Sequence, residues 1–295
     1  MAEPLFKRVA LIGIGLIGSS IARAAKEFEG LATEIVVNAR SQKSLDRVAE
    51  LGFADRCEID PVKAVAGADC VILCSPVGTY AELAERIAPA LMPGAILTDV
   101  GSTKQSVVRD AGPFVPEGVH FIPAHPIAGT EFSGPDSGFA TLFQGRWCLL
   151  TPLPGTDEAA IRKLRDFWEL MGAQTAIMDA AHHDRMIAIV SHLPHLIAFT
   201  ICGTADDLAD ETRQEVLQYA ASGFRDFTRI AASDPVMWRD IFLNNREALL
   251  EMLARFTEDA QAMARAVRWG DTNYIEDKIN RSRKIRQSLI ELKQA

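Results

Sequence analysis

Polar residues suited to acid–base chemistry and anion binding are grouped in five short segments of this 295-residue chain. Three segments follow short apolar runs and two lie in helical patterns further along; they cover residues 74–78, 99–104, 125–131, 191–195 and 223–240. Histidine, with an ordinary pKa near 6.5, can accept a proton at neutral pH, and the planar guanidinium of arginine suits carboxylates. The segments therefore allow proton transfer and carboxylate binding, provided that the fold brings them together.

A glycine-rich turn near the start of the chain predicts a dinucleotide site. The series Gly13-Ile-Gly15-Leu-Ile-Gly18 follows an apolar strand pattern and opens a helical pattern, as the dinucleotide fingerprint requires. Gly13 permits a tight turn, Gly15 lets the backbone approach a pyrophosphate, and Gly18 allows close helix–strand packing. Together with residues at neighbouring strand ends, the predicted cofactor site is Gly13, Gly15, Leu16, Ile17, Gly18, Ser75, Pro76, Val77 and Ser102. The alternative is a glycine-rich turn without a ligand.

The choice of cofactor depends on the residues that follow the second predicted strand. An acidic residue there usually binds the adenosine ribose and selects NAD. The stretch here reads Asn38-Ala39-Arg40-Ser41 and has no carboxylate, so Arg40 and Ser41 could hold a 2′-phosphate. We predict NADP or dual specificity rather than strict use of NAD. A solvated loop arginine is the alternative interpretation.

Two domains are predicted from the order of strand and helix patterns. The first half alternates β-branched runs with helical stretches, which is typical of a parallel sheet covered by helices. The predicted strands are 9–12, 34–38, 70–74, 96–99, 119–122, 147–150 and 174–178, and the later helices are 181–208, 212–222, 235–269 and 272–292. The prediction is an α/β Rossmann-type dinucleotide-binding domain over residues 1–178, followed by an all-α substrate-binding and dimerisation domain over residues 179–295.

Composition limits the partners and the compartment. The net charge of −8 argues against nucleic acid, which is bound largely by clustered lysine and arginine. No export signal pattern opens the chain, and apolar stretches are interrupted before the roughly 20 residues of a membrane span. Five scattered cysteines without a C-x-x-C pair fit reduced thiols. We expect a cytoplasmic protein that neither crosses a membrane nor binds nucleic acid.

Taken in order, the segments resemble the prephenate and arogenate dehydrogenases of tyrosine biosynthesis, especially the bacterial cyclohexadienyl dehydrogenases that accept either substrate. The resemblance runs from about Val9 to Trp269 and is far more specific than the glycine motif alone. It implies NAD(P)-dependent oxidative decarboxylation of prephenate to 4-hydroxyphenylpyruvate, of arogenate to tyrosine, or both.

The resemblance also implies roles for individual residues. In H-P-x-A-G-T-E, His125 is the base that takes the ring-hydroxyl proton, and Ser102 hydrogen-bonds both that hydroxyl and His125. Arg229 grips a substrate carboxylate, and His195 lies near the nicotinamide and the substrate side chain. Further residues implied in or around the pocket are Ser191, His192, Thr130, Glu131, Arg225 and Trp238.

Plainer interpretations remain for several polar residues. A metal between His192 and His195 lacks a third ligand at suitable spacing, so no metal is expected. His182 and His183, next to Asp184, are predicted to form a polar helix start outside the site. Asp99 could simply cap a loop, and Trp238 could be helix packing.

Two other functions stay open. One is a β-hydroxyacid-type dehydrogenase that works through a lysine, for which Lys104 is the candidate in the cofactor region. The other is a dinucleotide sensor or assembly subunit without catalysis.

The residues do not separate prephenate from arogenate, and competitive inhibition by tyrosine is a hypothesis. Long amphipathic helices after residue 179 predict a homodimer.

Overall fold

The computed structural model describes residues 3–130, 132–207, 215 and 218–292. The chain divides into two compact units, Met1–Arg246 and Glu247–Ala295, and each is described by itself. The first unit contains the sheets and the helices up to Asn244. The predicted domain boundary after residue 178 thus lies inside the first compact unit, and it stays a prediction.

A six-stranded parallel sheet forms the centre of the first unit and confirms the predicted Rossmann-type fold. Its strand order is β3-β2-β1-β4-β5-β6. The strands are β1 (Phe6–Ile12), β2 (Ala32–Asn38), β3 (Arg56–Glu58), β4 (Cys70–Leu73), β5 (Ile96–Asp99) and β6 (His120–Phe121). The order reverses between β1 and β4, and ligands of such sheets bind outside the carboxyl ends of the strands at this point.

Helices cover both faces of this sheet. Alternate residues of β1 enter different apolar clusters: Val9 and Leu11 pack with Trp168, whereas Ala10 and Ile12 pack with Tyr80. This is the two-residue period of a strand that is buried on both faces. The helices are α1 (Leu16–Glu27), α2 (Gln42–Leu51), α3 (Pro61–Val65), α4 (Tyr80–Ile87), α5 (Gln105–Ala111) and α6 (Glu158–Leu170).

A second, three-stranded sheet was not foreseen from the sequence. It has the order β7-β8-β9 and consists of β7 (Ala124–Pro126), β8 (Trp147–Leu150) and β9 (Gln174–Ile177). Strand β7 runs antiparallel to β8, which pairs in parallel with β9. His125 lies in β7 opposite Leu149. A three-residue strand that ends on a proline leaves no recognisable alternation in the sequence.

One long helical run carries the histidines of the second half. It consists of α7 (Ala180–Ile187), a π-turn (Ala188–His192) and α8 (Leu193–Asp206). Pro194 explains the π-turn, because proline has no N–H for the i−4 carbonyl and its ring crowds that carbonyl. By length and hydropathy the run Ala180–Asp206 could span a membrane, although it was expected to be too interrupted for that.

The remaining helices differ from the prediction at several points. Helix Ser222–Thr228 and a 3₁₀ turn, Arg229–Ala232, precede helix Pro235–Asn244. The predicted helix 235–269 is broken at Asn245, where φ is −117° and ψ is 33°. Of the predicted helix 212–222, residues 212–214 and 216–217 lie outside the described residues, whereas residues 219–221 are described and are not helical.

The second unit contains most of a long helix, Arg246–Trp269, and the helix Thr272–Glu291. Gly270 (φ 68°) makes the turn between them, and Asp271 caps the second helix by accepting a hydrogen bond from the Tyr274 N–H. An ion pair of 2.8 Å joins Lys278 to Asp259. Several large apolar side chains of this unit are exposed, including Ile279, Ile285 and Leu289.

Candidate active site

The segment before His125 is held by a buried ion pair. Asp99, the last residue of β5, pairs with the Lys104 ammonium, and both side chains are fully buried. Asp99 also accepts from the Ala124 N–H (3.1 Å) and the Gly101 N–H (2.7 Å), while Lys104 Nζ donates to the Ala124 carbonyl (2.7 Å). Asp99 does satisfy backbone donors, as expected, but its main role is to join β5 to β7 directly beside His125.

His125 is bonded to a second histidine. Its Nδ1 lies 2.9 Å from Nε2 of His183, whose Nδ1 lies 2.8 Å from Oδ1 of Asp184. The Asp184 carboxylate in turn accepts from the backbone N–H groups of Lys104 (2.7 Å) and Gln105 (2.9 Å) at the start of α5. A continuous chain of hydrogen bonds therefore runs from His125 to the N-terminus of α5.

This chain fixes the position of each ring proton. Burial raises the pKa of Asp184, but hydrogen bonds from His183 and from backbone N–H groups outweigh it and hold that pKa below its usual value, so the carboxylate is ionised and only accepts. His183 must donate through Nδ1 and accept at Nε2, and His125 must then donate through Nδ1. The Nε2 atom of His125 is left with its lone pair, which is what a general base needs.

Burial keeps both rings neutral. The pKa of His125 lies well below 6.5, chiefly because burial disfavours the charged ring, with further lowering from His183, Lys104 and His192. Burial also lowers the pKa of His183, against the opposing effect of Asp184. Neutral His125 can therefore accept a proton at working pH.

His183 is bonded to His125, contrary to the prediction that it lies outside the site. His183 is fully buried, whereas His182 is exposed. One signal could have found it: His183, Asp184, Ile187 and Ala188 form a buried stripe at helical spacing, on which two polar residues require partners. The expected polar helix start is formed by Asp179, which accepts from the His182 N–H.

A second group of rings lies on the π-turn and the helix Pro235–Asn244. His195 stacks on Trp238 with ring centroids 3.6 Å apart, and its Nδ1 donates to the Ser191 carbonyl (2.9 Å). His192 is fully buried, with its ring centroid 6.1 Å from that of Trp238. His192 lies close enough to affect the pKa of His125, and Arg229 close enough to affect that of His195.

The other predicted substrate residues are placed as follows. Arg225 is exposed on helix Ser222–Thr228, and Thr130 lines an open cavity of about 780 Å³ with Phe132 and Phe139. Ser102 is half-buried in the loop after β5, and no hydrogen bond joins it to His125 among the described residues. Glu131 lies outside the described residues.

The glycine turn has the geometry that a dinucleotide requires. Gly13 adopts φ 107°, and a Cβ there would stand 2.8 Å from the Ser75 backbone nitrogen. A Cβ on Gly18 would stand 2.6 Å from the Gly13 carbonyl oxygen, whereas one on Gly15 would meet nothing within 4 Å. The turn is thus tightly packed against the loop after β4 but open at Gly15, at the N-terminus of α1, where an anion is favoured.

The other predicted cofactor residues adjoin this turn or the end of β2. Leu16 and Ile17 form the first turn of α1, and Ser75, Pro76 and Val77 follow β4. Asn38, at the end of β2, donates to the Glu58 and Ile59 carbonyls instead of facing a ribose. Ser41 caps α2 by accepting from the Ser44 N–H, and Arg40 is exposed without a hydrogen-bond partner in the described part of the chain.

Over the described ranges, no group of three histidine, cysteine or carboxylate side chains is arranged to hold a metal ion. The pair considered from sequence is divided between two environments. His192 Nδ1 lies 3.0 Å from Nδ2 of Asn245, whereas His195 is bonded to the Ser191 carbonyl and stacked on Trp238.

Comparison with known proteins gives two family matches. The model "Prephenate dehydrogenase, nucleotide-binding domain" matches residues 21–177, and "Prephenate dehydrogenase, dimerization domain" matches residues 179–281. The cyclohexadienyl dehydrogenase of Zymomonas mobilis is 40% identical over 285 residues, which is 97% of each chain. The prephenate dehydrogenase of Lactococcus lactis is 35% identical and is matched over 96% of this chain and 77% of its own.

Solved structures agree with these matches. Prephenate dehydrogenase from Aquifex aeolicus, in complex with hydroxyphenyl propionate and NAD⁺, superposes with a TM-score of 0.86 at 31% identity, over 96% of this chain and 98% of that one. Synechocystis arogenate dehydrogenase gives 0.80 at 26% identity, over 95% and 99%. The family-matched regions contain His125, His183 and Arg229.

Proposed function

The chain belongs to the prephenate dehydrogenase family, and from this premise we propose that it is an NAD(P)-dependent dehydrogenase of prephenate, arogenate or both. Prephenate would give 4-hydroxyphenylpyruvate and arogenate would give tyrosine, each with loss of carbon dioxide. The observation that carries this proposal is the ring of His125, buried and neutral, with Nδ1 bonded and Nε2 able to accept a proton. Relatives named cyclohexadienyl, prephenate and arogenate dehydrogenase support both substrates.

His125 acts as the general base. Its Nε2 takes the proton of the ring hydroxyl, and the bound nicotinamide supplies the acceptor for the hydride that leaves the same carbon. Asp184 stabilises the positive charge that develops on His125, because the two are joined through His183. A positioned base of this kind contributes on the order of 10² to 10⁴-fold in rate. Decarboxylation then makes the ring aromatic, which provides the driving force without a metal.

Substrate binding is assigned to the second group of rings and the arginines. Arg229 provides a planar cation for a carboxylate, and its proximity to His195 supports this role. Ser102 bonds the substrate hydroxyl from the loop after β5. The remaining residues proposed around the substrate are Ser191, His192, His195, Thr130, Glu131, Arg225 and Trp238.

For the cofactor, we propose that the enzyme accepts NADP as well as NAD. The support lies at the end of β2, where Asn38 is turned toward the Glu58 carbonyl and the exposed Arg40 follows. A guanidinium at this position suits a 2′-phosphate, whereas no carboxylate is present for a ribose diol. Gly13, Gly15 and Gly18 hold the pyrophosphate of either cofactor at the start of α1.

We propose a cytoplasmic homodimer that associates through the C-terminal helices. The family description of residues 179–281 as a dimerization domain supports it, as do the exposed side chains of Ile279, Ile285 and Leu289. The apolar run Ala180–Asp206 falls in the same region and carries buried His183 and Asp184, so we assign it to protein packing instead of a membrane. Sedimentation of the protein as a monomer at micromolar concentration would refute the proposed homodimer.

The lysine-based alternative is not supported by the geometry. Lys104 is fully buried, and its ammonium is bonded to Asp99 and the Ala124 carbonyl. Burial also lowers its pKa, although Asp99 opposes that change. The sensor alternative has no particular support, because His125 and Arg229 are both retained.

The deciding experiment follows reduced nicotinamide as it appears with purified protein. Prephenate or arogenate is supplied with NAD or NADP, and His125→Asn is compared with His120→Asn, a histidine in β6 outside the site. Turnover should collapse in His125→Asn and persist in His120→Asn. An absence of turnover with all four pairings, despite dinucleotide binding, would keep the fold and refute the function.

A further inference from the structure

Asn245 joins the two groups of histidines. It is the residue that breaks the helical pattern after Pro235–Asn244, and it is almost fully buried. Its Nδ2 lies 2.8 Å from the Asp184 carbonyl oxygen and 3.0 Å from Nδ1 of His192. Both distances are those of hydrogen bonds.

The Asp184 carbonyl determines which way this amide points. A carbonyl oxygen only accepts, so the atom of Asn245 that faces it is the NH₂ nitrogen, which carries two protons. One proton goes to Asp184 and the other points at His192. The Nδ1 atom of His192 is therefore an acceptor. Burial lowers the pKa of His192 to about 4, so the ring is neutral at pH 7 and its single proton is on Nε2.

That Nε2–H group has no acceptor. Among the residues that the structure describes, Nε2 of His192 is buried without a hydrogen-bond partner, and so is Nε1 of Trp238. The two rings are neighbours, with centroids 6.1 Å apart. Buried donors are rarely left unpaired, and such groups require an explanation. Two of them in one ring cluster, beside the base His125, point to a ligand that brings oxygen atoms.

His192 differs in this respect from the other two histidines of the site. His125 donates through Nδ1 to His183, and His195 donates through Nδ1 to the Ser191 carbonyl, so each has an acceptor at Nε2. Only His192, of these three, presents a donor at Nε2. A substrate with two carboxylates needs donors around it.

We propose that Asn245 is a positioning residue that holds His192 with its ring proton on Nε2, as a hydrogen-bond donor to a carboxylate or keto oxygen of the substrate. The inference rests on the proposed function, because that function supplies the oxygen-rich ligand. Asn245 itself touches His192 and Asp184 and takes no part in proton transfer.

The tautomer can be measured without any assay of activity. In full-length protein labelled with ¹⁵N-histidine, correlations between ring protons and ring nitrogens at pH 7 distinguish protonated Nε2 from protonated Nδ1. His192 is assigned by comparison with His192→Gln. We expect Nε2 to be protonated and its signal to shift when prephenate is added without cofactor. A proton on Nδ1, or a signal that prephenate leaves unchanged in active enzyme, would overturn the proposal.

Asn245→Asp tests the same point kinetically. A carboxylate only accepts, so it should draw the His192 proton to Nδ1 and leave a lone pair at Nε2. We expect KM for prephenate to rise by about 10-fold or more, with kcat changed by less than about threefold, because lost ground-state binding appears in KM.

Asn244→Asp is the matched control. The Asn244 side chain bonds the Asp240 carbonyl and Arg109 instead of a histidine, so KM should be nearly unchanged. A reversed tautomer in Asn245→Asp with an unchanged KM would refute the donor role. Failure of the proposed function would be recognised separately, since wild-type protein would then reduce no nicotinamide with either substrate.

Discussion

His125 and His183 face each other through Nδ1 and Nε2 at 2.9 Å, although 58 residues separate them in the chain. His125 is supplied by a short strand of the second sheet and His183 by the first helix of the long helical run. The contact therefore depends on how that run packs against the nucleotide-binding fold. The protonation state of His125, the proposed base, therefore depends on both the second sheet and the long helical run.

Asp184→Asn should reduce kcat on the order of 10² to 10⁴-fold while the protein stays folded. The amide carries no negative charge to stabilise His125 as it takes up the proton, and its NH₂ group would oppose a backbone N–H that the carboxylate accepts, that of Gln105 or Lys104. Steady-state kinetics with prephenate measure the loss. Asp179→Asn makes the same change of carboxylate to amide at the N-cap of the same helix, where asparagine also caps, and should leave kcat close to wild type. An equal loss of kcat in both variants would contradict a role for the hydrogen-bonded chain from His125 through His183 to Asp184.

The pH profile should reflect the burial of His125. Because burial lowers its pKa well below 6.5, the neutral base persists to lower pH than an exposed histidine would allow. The acid limb of kcat/KM is therefore expected below pH 6.5, with activity lost as pH falls through the lowered pKa. Initial rates between pH 4.5 and 9 would measure it. A half-maximal rate at or above pH 6.5 would be inconsistent with His125 as the base.

Lys104→Met should destabilise the fold by about 3 to 5 kcal/mol, because it leaves the buried Asp99 carboxylate without its partner. The free energy of unfolding in urea measures this change. Lys163→Met is the matched control: its ion pair with Asp69 is long (4.0 Å) and partly exposed, so about 1 kcal/mol or less is expected. Adding Asp99→Asn to Lys104→Met should restore part of the loss. A fully stable Lys104→Met enzyme without turnover would instead favour the lysine-based mechanism.

Arg40→Ala should raise KM for NADP by about 10-fold or more and leave KM for NAD within about twofold, because only NADP carries the 2′-phosphate. Michaelis constants for both cofactors at saturating prephenate give the comparison. Arg47→Ala serves as control, since Arg47 is engaged by Asp136 and Glu50. An equal rise in KM for NAD and NADP would show that Arg40 does not bind the 2′-phosphate.

Local pattern was sufficient for most of the sheet and for the glycine turn. Strands β5 and β8 have the predicted bounds, because each is a short apolar run of adjacent residues. The turn at Gly13 was equally readable, since its glycines are required by backbone geometry within six residues.

What sequence missed depends on contacts between distant residues. The Asp184 carboxylate meets the Lys104 N–H across 80 positions, and Asn245 meets His192 across 53. Neither pairing has a local signal, so His183 looked like part of a helix start and Asn245 like the interior of a helix. The second sheet escaped for the same reason, because β7 exists only through its pairing with β8.

The π-turn Ala188–His192 sets the rotational phase of the long helical run. A π-turn adds about one residue to a helical turn, and one residue of α-helix corresponds to roughly 100° about the axis. Without it, the side chains of α8, including His195, would be turned by that angle about the helix axis relative to His183. This single wide turn therefore decides whether the histidines before and after it lie on the same face of the helical run or on different faces.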